Sequence, residues 1–171
     1  MSRELLIVRH AKSAWDTDAP TDFERPLAKR GKLDAPRIGG WLVEQGLIPE
    51  QVVSSPAKRA KQTANRLCRE LGIKRTRVTW DPRIYGGGTH TLLAVLADCD
   101  KTAQRVMLVG HNPGLEDLVS HLAGGYLAVP EDGKILPTAA VAHFDMPNDW
   151  CQLEAGAGHL RSITRPRSLS S

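Results

Sequence analysis

Two short apolar runs in this chain each stop at a histidine. Glu4 to Val8 ends in Arg9-His10, and Arg105 to Val109 ends in Gly110-His111. A run of about four to eight mostly apolar residues, closed by charge, reads as a strand buried on both faces, and such strands belong to parallel sheets covered by helices. Two more short strands are expected, at Gln51-Val52-Val53-Ser54 and Arg77 to Trp80. Between them the spacing predicts a helix over Lys29 to Gln45 that buries Ile38, Trp41 and Leu42 and stops at Gly46. Pro36 inside it marks a kink or a later start. A second helix is expected from Ser55-Pro56, with Pro56 at its first position, through Ala64, Leu67, Cys68 and Leu71 to a stop at Gly72. Thr91 to Ala97 and Leu115 to Ala123 read as further helices. Ala139 to Phe144 reads as a strand, with one more strand to follow. The alternation gives an α/β fold, a three-layer sandwich with a mostly parallel central sheet and helices on both faces. A single domain over residues 1–171 is expected, its polar tail frayed from about residue 166.

Composition narrows the function classes. Hydrophobic residues make up 41% and charged residues 25%, the balance of a globular chain. The net charge of +4 raises a nucleic-acid partner, but the basic residues are interleaved with acids and aromatics are only 5%. Neither a basic stripe nor a stacking platform is present, so no nucleic-acid partner is expected. The first residues lack the long apolar core of a signal peptide, and no stretch reaches membrane-spanning length. A cytoplasmic protein with no membrane partner is the expectation. Cys68, Cys99 and Cys151 are odd in number and lack CxxC spacing, which points to small buried side chains of a reducing compartment.

In open α/β sheets, ligands gather beyond the carboxyl ends of the strands. Three expected strand ends carry unusual chemistry there: Arg9-His10, Ser54-Ser55-Pro56 with Arg59 one turn into the helix, and His111. Guanidinium groups match phosphate oxygens, and the start of the helix after Pro56 adds free N–H groups. Neighbouring cations disfavour protonation of His10 and leave a nitrogen free to attack phosphorus. His111 is placed to donate to a phosphoryl oxygen as charge shifts in the transition state. The scheme calls for no metal and no cofactor.

These residues fall into three ordered blocks. Leu6-Ile7-Val8-Arg9-His10-Ala11-Lys12-Ser13 resembles the RHG signature of the histidine phosphatase superfamily, which includes phosphoglycerate mutases. Ser54 to Ala64 resembles that family's second block, and Val109-Gly110-His111-Asn112-Pro113 its third. The short length, Arg25-Pro26-Leu27 and the Gly110 to Gly114 turn are most similar to the SixA-type phosphohistidine phosphatases. The resemblance implies a phosphoglycerate mutase-like fold and a phosphohistidine intermediate on His10. It implies phosphate binding by Arg9 and a second arginine, Arg59, with His111 as the second histidine. Ser13 and Arg25 are further candidates for contacting phosphate or substrate. Lys12, Lys58 and Lys61 read as solvated charges, Trp15 as a lid or core residue, and His90, His121, His143 and His159 match no block.

The sequence departs from the family pattern twice. Ala11 replaces glycine, so the backbone there must avoid a glycine-only conformation. Ester-cleaving members carry a glutamate general acid after the third strand, whereas here the segment reads Asp81-Pro82-Arg83-Ile84-Tyr85-Gly86-Gly87. An alkoxide leaving group needs a proton, but imidazole, whose conjugate acid has a pKa near about 6.5, leaves without a strong acid. Asp16, Asp18 and Asp22 are the candidates if an acid exists. Asp16 also stands where ester-cleaving relatives often have a phosphate-binding asparagine. The expected partner is therefore a protein carrying phosphohistidine. The alternatives are a metal-independent phosphatase or mutase for small phosphorylated metabolites, and a phosphate-binding module without turnover.

Overall fold

The computed structural model describes residues 3–125 and 127–169. Its six strands are β1 (Arg3–Arg9), β2 (Gln51–Ser54), β3 (Val78–Trp80), β4 (Arg105–Gly110), β5 (Val141–Met146) and β6 (His159–Thr164). Its helices are α1 (Lys29–Glu44), α2 (Lys58–Leu71), α3 (Thr89–Ala97) and α4 (Gly114–Leu122). The strands form one sheet in the order β3-β2-β4-β1-β5-β6. The first four run parallel, while β5 is antiparallel to β1, and β6 to β5.

The alternation of β1 explains the three layers. Leu5 and Ile7 point into a core shared with α3 and α4 through Leu92, Leu96, Leu115 and Leu118. Leu6 and Val8 point the other way, onto α1 and α2 through Ile38, Leu42, Ala64 and Leu67. All four β1 residues are fully buried, as the unbroken apolar run demands. Along α2, Ala60, Ala64, Leu67, Cys68 and Leu71 form the buried stripe of a helix with one face on the sheet. The left-handed Gly72 (φ 71°) ends it.

Several local expectations are corrected. Pro36 neither starts nor breaks α1, which runs through it on a face that buries Ala35, Ile38 and Leu42. Trp41 is only half-buried. Pro56 is not the first residue of α2, because Ala57 keeps a non-helical backbone (φ −56°, ψ 140°) and caps a helix that begins at Lys58. Cys68 and Cys99 are buried, but Cys151 is exposed. The tail does not fray at 166: Pro166–Ser168 form a 3₁₀ turn, and Arg37 donates to the Leu169 carbonyl at 3.0 Å. Ser170 and Ser171 lie outside the described residues. Among the described residues no helix is long and apolar enough to cross a membrane.

Candidate active site

Strand register brings the two histidines side by side. Arg9 pairs with Gly110 across β1 and β4, and Ser54 pairs with Val109 across β2 and β4. The next residues, His10, Ser55 and His111, therefore leave the sheet together at its carboxyl edge. The ladder extends to them, with His10 N–H donating to Gly110 O (2.9 Å) and Ser55 N–H to Val109 O (3.0 Å). The rings of His10 and His111 lie 5.2 Å apart between centroids.

His10 is 7% exposed, and its Nδ1 donates to the carbonyl of Ala11 at 2.7 Å. That bond assigns the proton to Nδ1 and leaves Nε2 with its lone pair. Burial pushes the His10 pKa down to about 3, against the Ala11 hydrogen bond, and His111, Arg59 and Arg9 lower it further. The loop carrying His10 is pinned from both sides. Ala11 N–H donates to Thr63 Oγ1 (3.0 Å), whose hydroxyl donates to the Arg59 carbonyl (2.7 Å). Ala139 N–H donates to the carbonyls of Arg9 and His10, each at 3.1 Å. Ala139 (φ 61°) is the one described non-glycine residue with positive φ, so Ala11 replaces the motif glycine without left-handed strain.

His111 is oriented through Ser55. The fully buried Ser55 Oγ accepts from Ala57 N–H and lies 2.8 Å from His111 Nε2. With the serine hydroxyl as donor, His111 carries its proton on Nδ1, an atom buried without a protein partner among the described residues. Burial lowers the His111 pKa to about 4, with Arg59 adding to the shift and Asp22 opposing it. Arg9 and Arg59 each hold a buried Nε without a protein partner among the described residues. Arg9 donates to the Leu136 carbonyl at 3.3 Å, and burial lowers its pKa against the pull of Glu116.

A cavity of about 390 Å³ opens beside these groups, lined by Asp22, Arg59, Tyr85, His111, Asn112 and Asp117 and by the backbone of Gly86 to Gly88. The structure thus brings Arg9, His10, Arg59 and His111 together, with Arg59 and His111 lining the cavity and the His10 ring 5.2 Å from that of His111. Of the three candidate acids, only Asp22 lines the cavity; Asp16 and Asp18 are exposed elsewhere in their loop. Asp22 accepts from Tyr85 OH (2.8 Å) and from Arg59 (2.9 Å), and its other oxygen accepts from Arg25 (3.2 Å). These donors, Tyr85 foremost, hold its pKa down to about 2. Ser13 and Arg25 do not line the cavity. The Arg25 guanidinium donates to Ser13 Oγ and stacks 3.7 Å from the centroid of Trp15, so the pair ties the loop to itself.

Sequence reasoning missed Ser55, Thr63 and Tyr85 as site residues. Ser55 and Thr63 sit inside the second block, and that was the available signal. Tyr85 is isolated in sequence, yet its ring stands edge-on to His111 at 5.4 Å.

The family model of the histidine phosphatase superfamily (branch 1) matches residues 5–84. An uncharacterized chloroplastic protein of Arabidopsis thaliana is 32% identical over 132 residues, 72% of this chain and 61% of that protein. An uncharacterized protein of Mycobacterium tuberculosis is 30% identical over 164 residues, 94% of this chain and 100% of that protein. The crystal structure of the putative phosphohistidine phosphatase SixA from Agrobacterium tumefaciens superposes with a TM-score of 0.76 at 26% identity, over 97% of this chain and 99% of the other. The chain belongs to the histidine phosphatase superfamily.

Proposed function

We propose that this phosphatase removes phosphoryl groups from phosphohistidine in proteins. His10 Nε2 attacks phosphorus in line with the departing imidazole: one P–N bond forms as the other breaks, and the electron pair returns to the substrate nitrogen. Arg9, Arg59 and the Nδ1–H of His111 take up charge on the phosphoryl oxygens. Water then attacks the phosphorylated His10, releases inorganic phosphate and restores the free imidazole.

One observation carries the choice of substrate. Asp22 is the one loop aspartate at the cavity, and it is clamped between Arg59, Arg25 and Tyr85 with its pKa held down to about 2. A carboxylate in that state has no proton to give an alkoxide at neutral pH, whereas an imidazole protonated at its far nitrogen needs none from the enzyme. The SixA-type structural likeness supports the same reading.

The test is a paired turnover assay on wild type and His10→Ala, with a phosphohistidine-bearing protein and a panel of small phosphate esters. Rapid loss of phosphohistidine by wild type alone, with little ester cleavage, is the expected result. Efficient ester cleavage that depends on Asp22 would move the assignment to small phosphorylated metabolites.

A further inference from the structure

The cavity beside His111 carries charge of both signs. Arg59 and His111 supply the phosphate-binding groups, yet two carboxylates also line it, Asp22 and Asp117. Asp22 is consumed by its two arginines and Tyr85. Asp117, on the first turn of α4, is exposed, and its side chain has no hydrogen bond or ion pair among the described residues. An acid at a helix N-terminus is favourable in itself. Its neighbour Glu116 already fills that role, accepts from the Leu136 N–H (2.9 Å) and pulls on Arg9. Asp117 is left over, facing a site whose other occupant must be anionic.

The remaining walls suit a flat ring. Tyr85 contributes an aromatic side chain, and Gly86, Gly87 and Gly88 contribute backbone without side chains. Close packing keeps two of the wall glycines bare: a Cβ on Gly114 would run into the Gly87 carbonyl, and one on Gly87 into the Arg83 carbonyl. The cavity at about 390 Å³ lies at the small-ligand end of binding-site sizes, roughly 300–1,000 Å³.

Phosphohistidine has a charge pattern to match. Its phosphoryl group is anionic. The ring leaves as neutral imidazole only if its second nitrogen carries a proton, which makes the reactive ring a cation. Without that proton the leaving group is an imidazolate, far too basic to depart readily. We propose that Asp117 accepts a hydrogen bond from the second N–H of the phosphorylated imidazole and so holds the leaving group in its protonated form. The proposal rests on the phosphohistidine reading above. The electron pair of the breaking P–N bond goes to the ring nitrogen, the ring proton stays on the far nitrogen, and neutral histidine departs. Asp117 begins and ends the step as a carboxylate. An alkyl ester offers no such cation, and a substrate with a second phosphate meets repulsion.

The test compares wild type, Asp117→Asn and Asp117→Glu on a phosphohistidine-bearing protein and on p-nitrophenyl phosphate, whose leaving group needs no proton. Removing the carboxylate lowers the pKa of the bound ring, so kcat on phosphohistidine begins to fall at lower pH as pH rises. In Asp117→Asn the alkaline limb moves down by about one pH unit and the phosphohistidine-to-aryl-ester ratio at pH 8 drops about tenfold. Asp117→Glu returns the limb toward the wild-type position. An unmoved limb, or an equal loss on both substrates, overturns the role of Asp117 while leaving the phosphohistidine reading intact. Failure of wild type to turn over phosphohistidine at all overturns both.

Discussion

The Arg59 guanidinium donates to both the backbone carbonyl of Asp22 (2.7 Å) and its carboxylate (2.9 Å). Arg59 is the second arginine of the candidate phosphate site, so an internal anion occupies donors that a phosphoryl group would use. Arg25 holds the other Asp22 oxygen at 3.2 Å, which lets Asp22 release Arg59 without becoming unpaired.

The predicted consequence is competition between Asp22 and phosphate. Asp22→Asn tightens inorganic phosphate binding about two- to fivefold, a size set by the half-exposed Asp22 side chain and its screening. Isothermal titration of wild type and variant with phosphate reads this directly. Weaker binding in the variant would mean that Asp22 serves to position Arg59.

Acid lability follows from the two buried histidines. Both are neutral in the folded state, with pKa values pushed down from 6.5 to about 3 for His10 and about 4 for His111. Below pH 6.5 the unfolded chain binds protons that the folded chain refuses, so stability falls as pH drops from 6.5 toward the folded values. The limiting slope is about 1.4 kcal/mol per pH unit for each group. Asp22 contributes stability above its ordinary value of 3.8, which is lost only as pH falls from there toward about 2. Urea denaturation at pH 7, 6, 5 and 4.5 checks the histidine window, and His10→Gln flattens part of the decline.

Ser55 Oγ, 2.8 Å from His111 Nε2, is placed to fix the tautomer of His111. Ser55→Ala removes the hydroxyl between Ala57 N–H and His111 Nε2, two groups with no other partner among the described residues. Stability drops by about 1–3 kcal/mol, the cost of leaving buried polar groups unpaired. kcat drops about tenfold or more through loss of the fixed donor. Thermal denaturation and saturation kinetics separate the two effects.

The gathering of Arg9, His10 and His111 at one sheet edge was legible because each of them stands at the end of a buried strand. Arg9-His10 and Gly110-His111 end apolar runs, and parallel strands deliver their ends to one side. Other features depend on contacts that leave no local pattern. The loop that lays Asp22 on Arg59 spans a separation of 37 residues, and the Ser55–His111 bond spans 56. Asp22 was visible as a candidate acid, but its ionised, doubly paired state was not, because Arg25, Arg59 and Tyr85 converge on it only in three dimensions. The docking of Leu169 on Arg37 likewise joins residues 132 apart and overrides a polar tail composition.

In the proposed reaction His10 is the group that accepts the phosphoryl group. The most direct measurement is labelling of the protein with a ³²P-phosphohistidine-bearing substrate, quenched in alkaline detergent, followed by mass-spectrometric location of the label in wild type and His10→Ala. The expected result is an acid-labile, base-stable label on His10 of the wild type and none on the variant. A label on another residue, or turnover by His10→Ala at the wild-type rate, would contradict it.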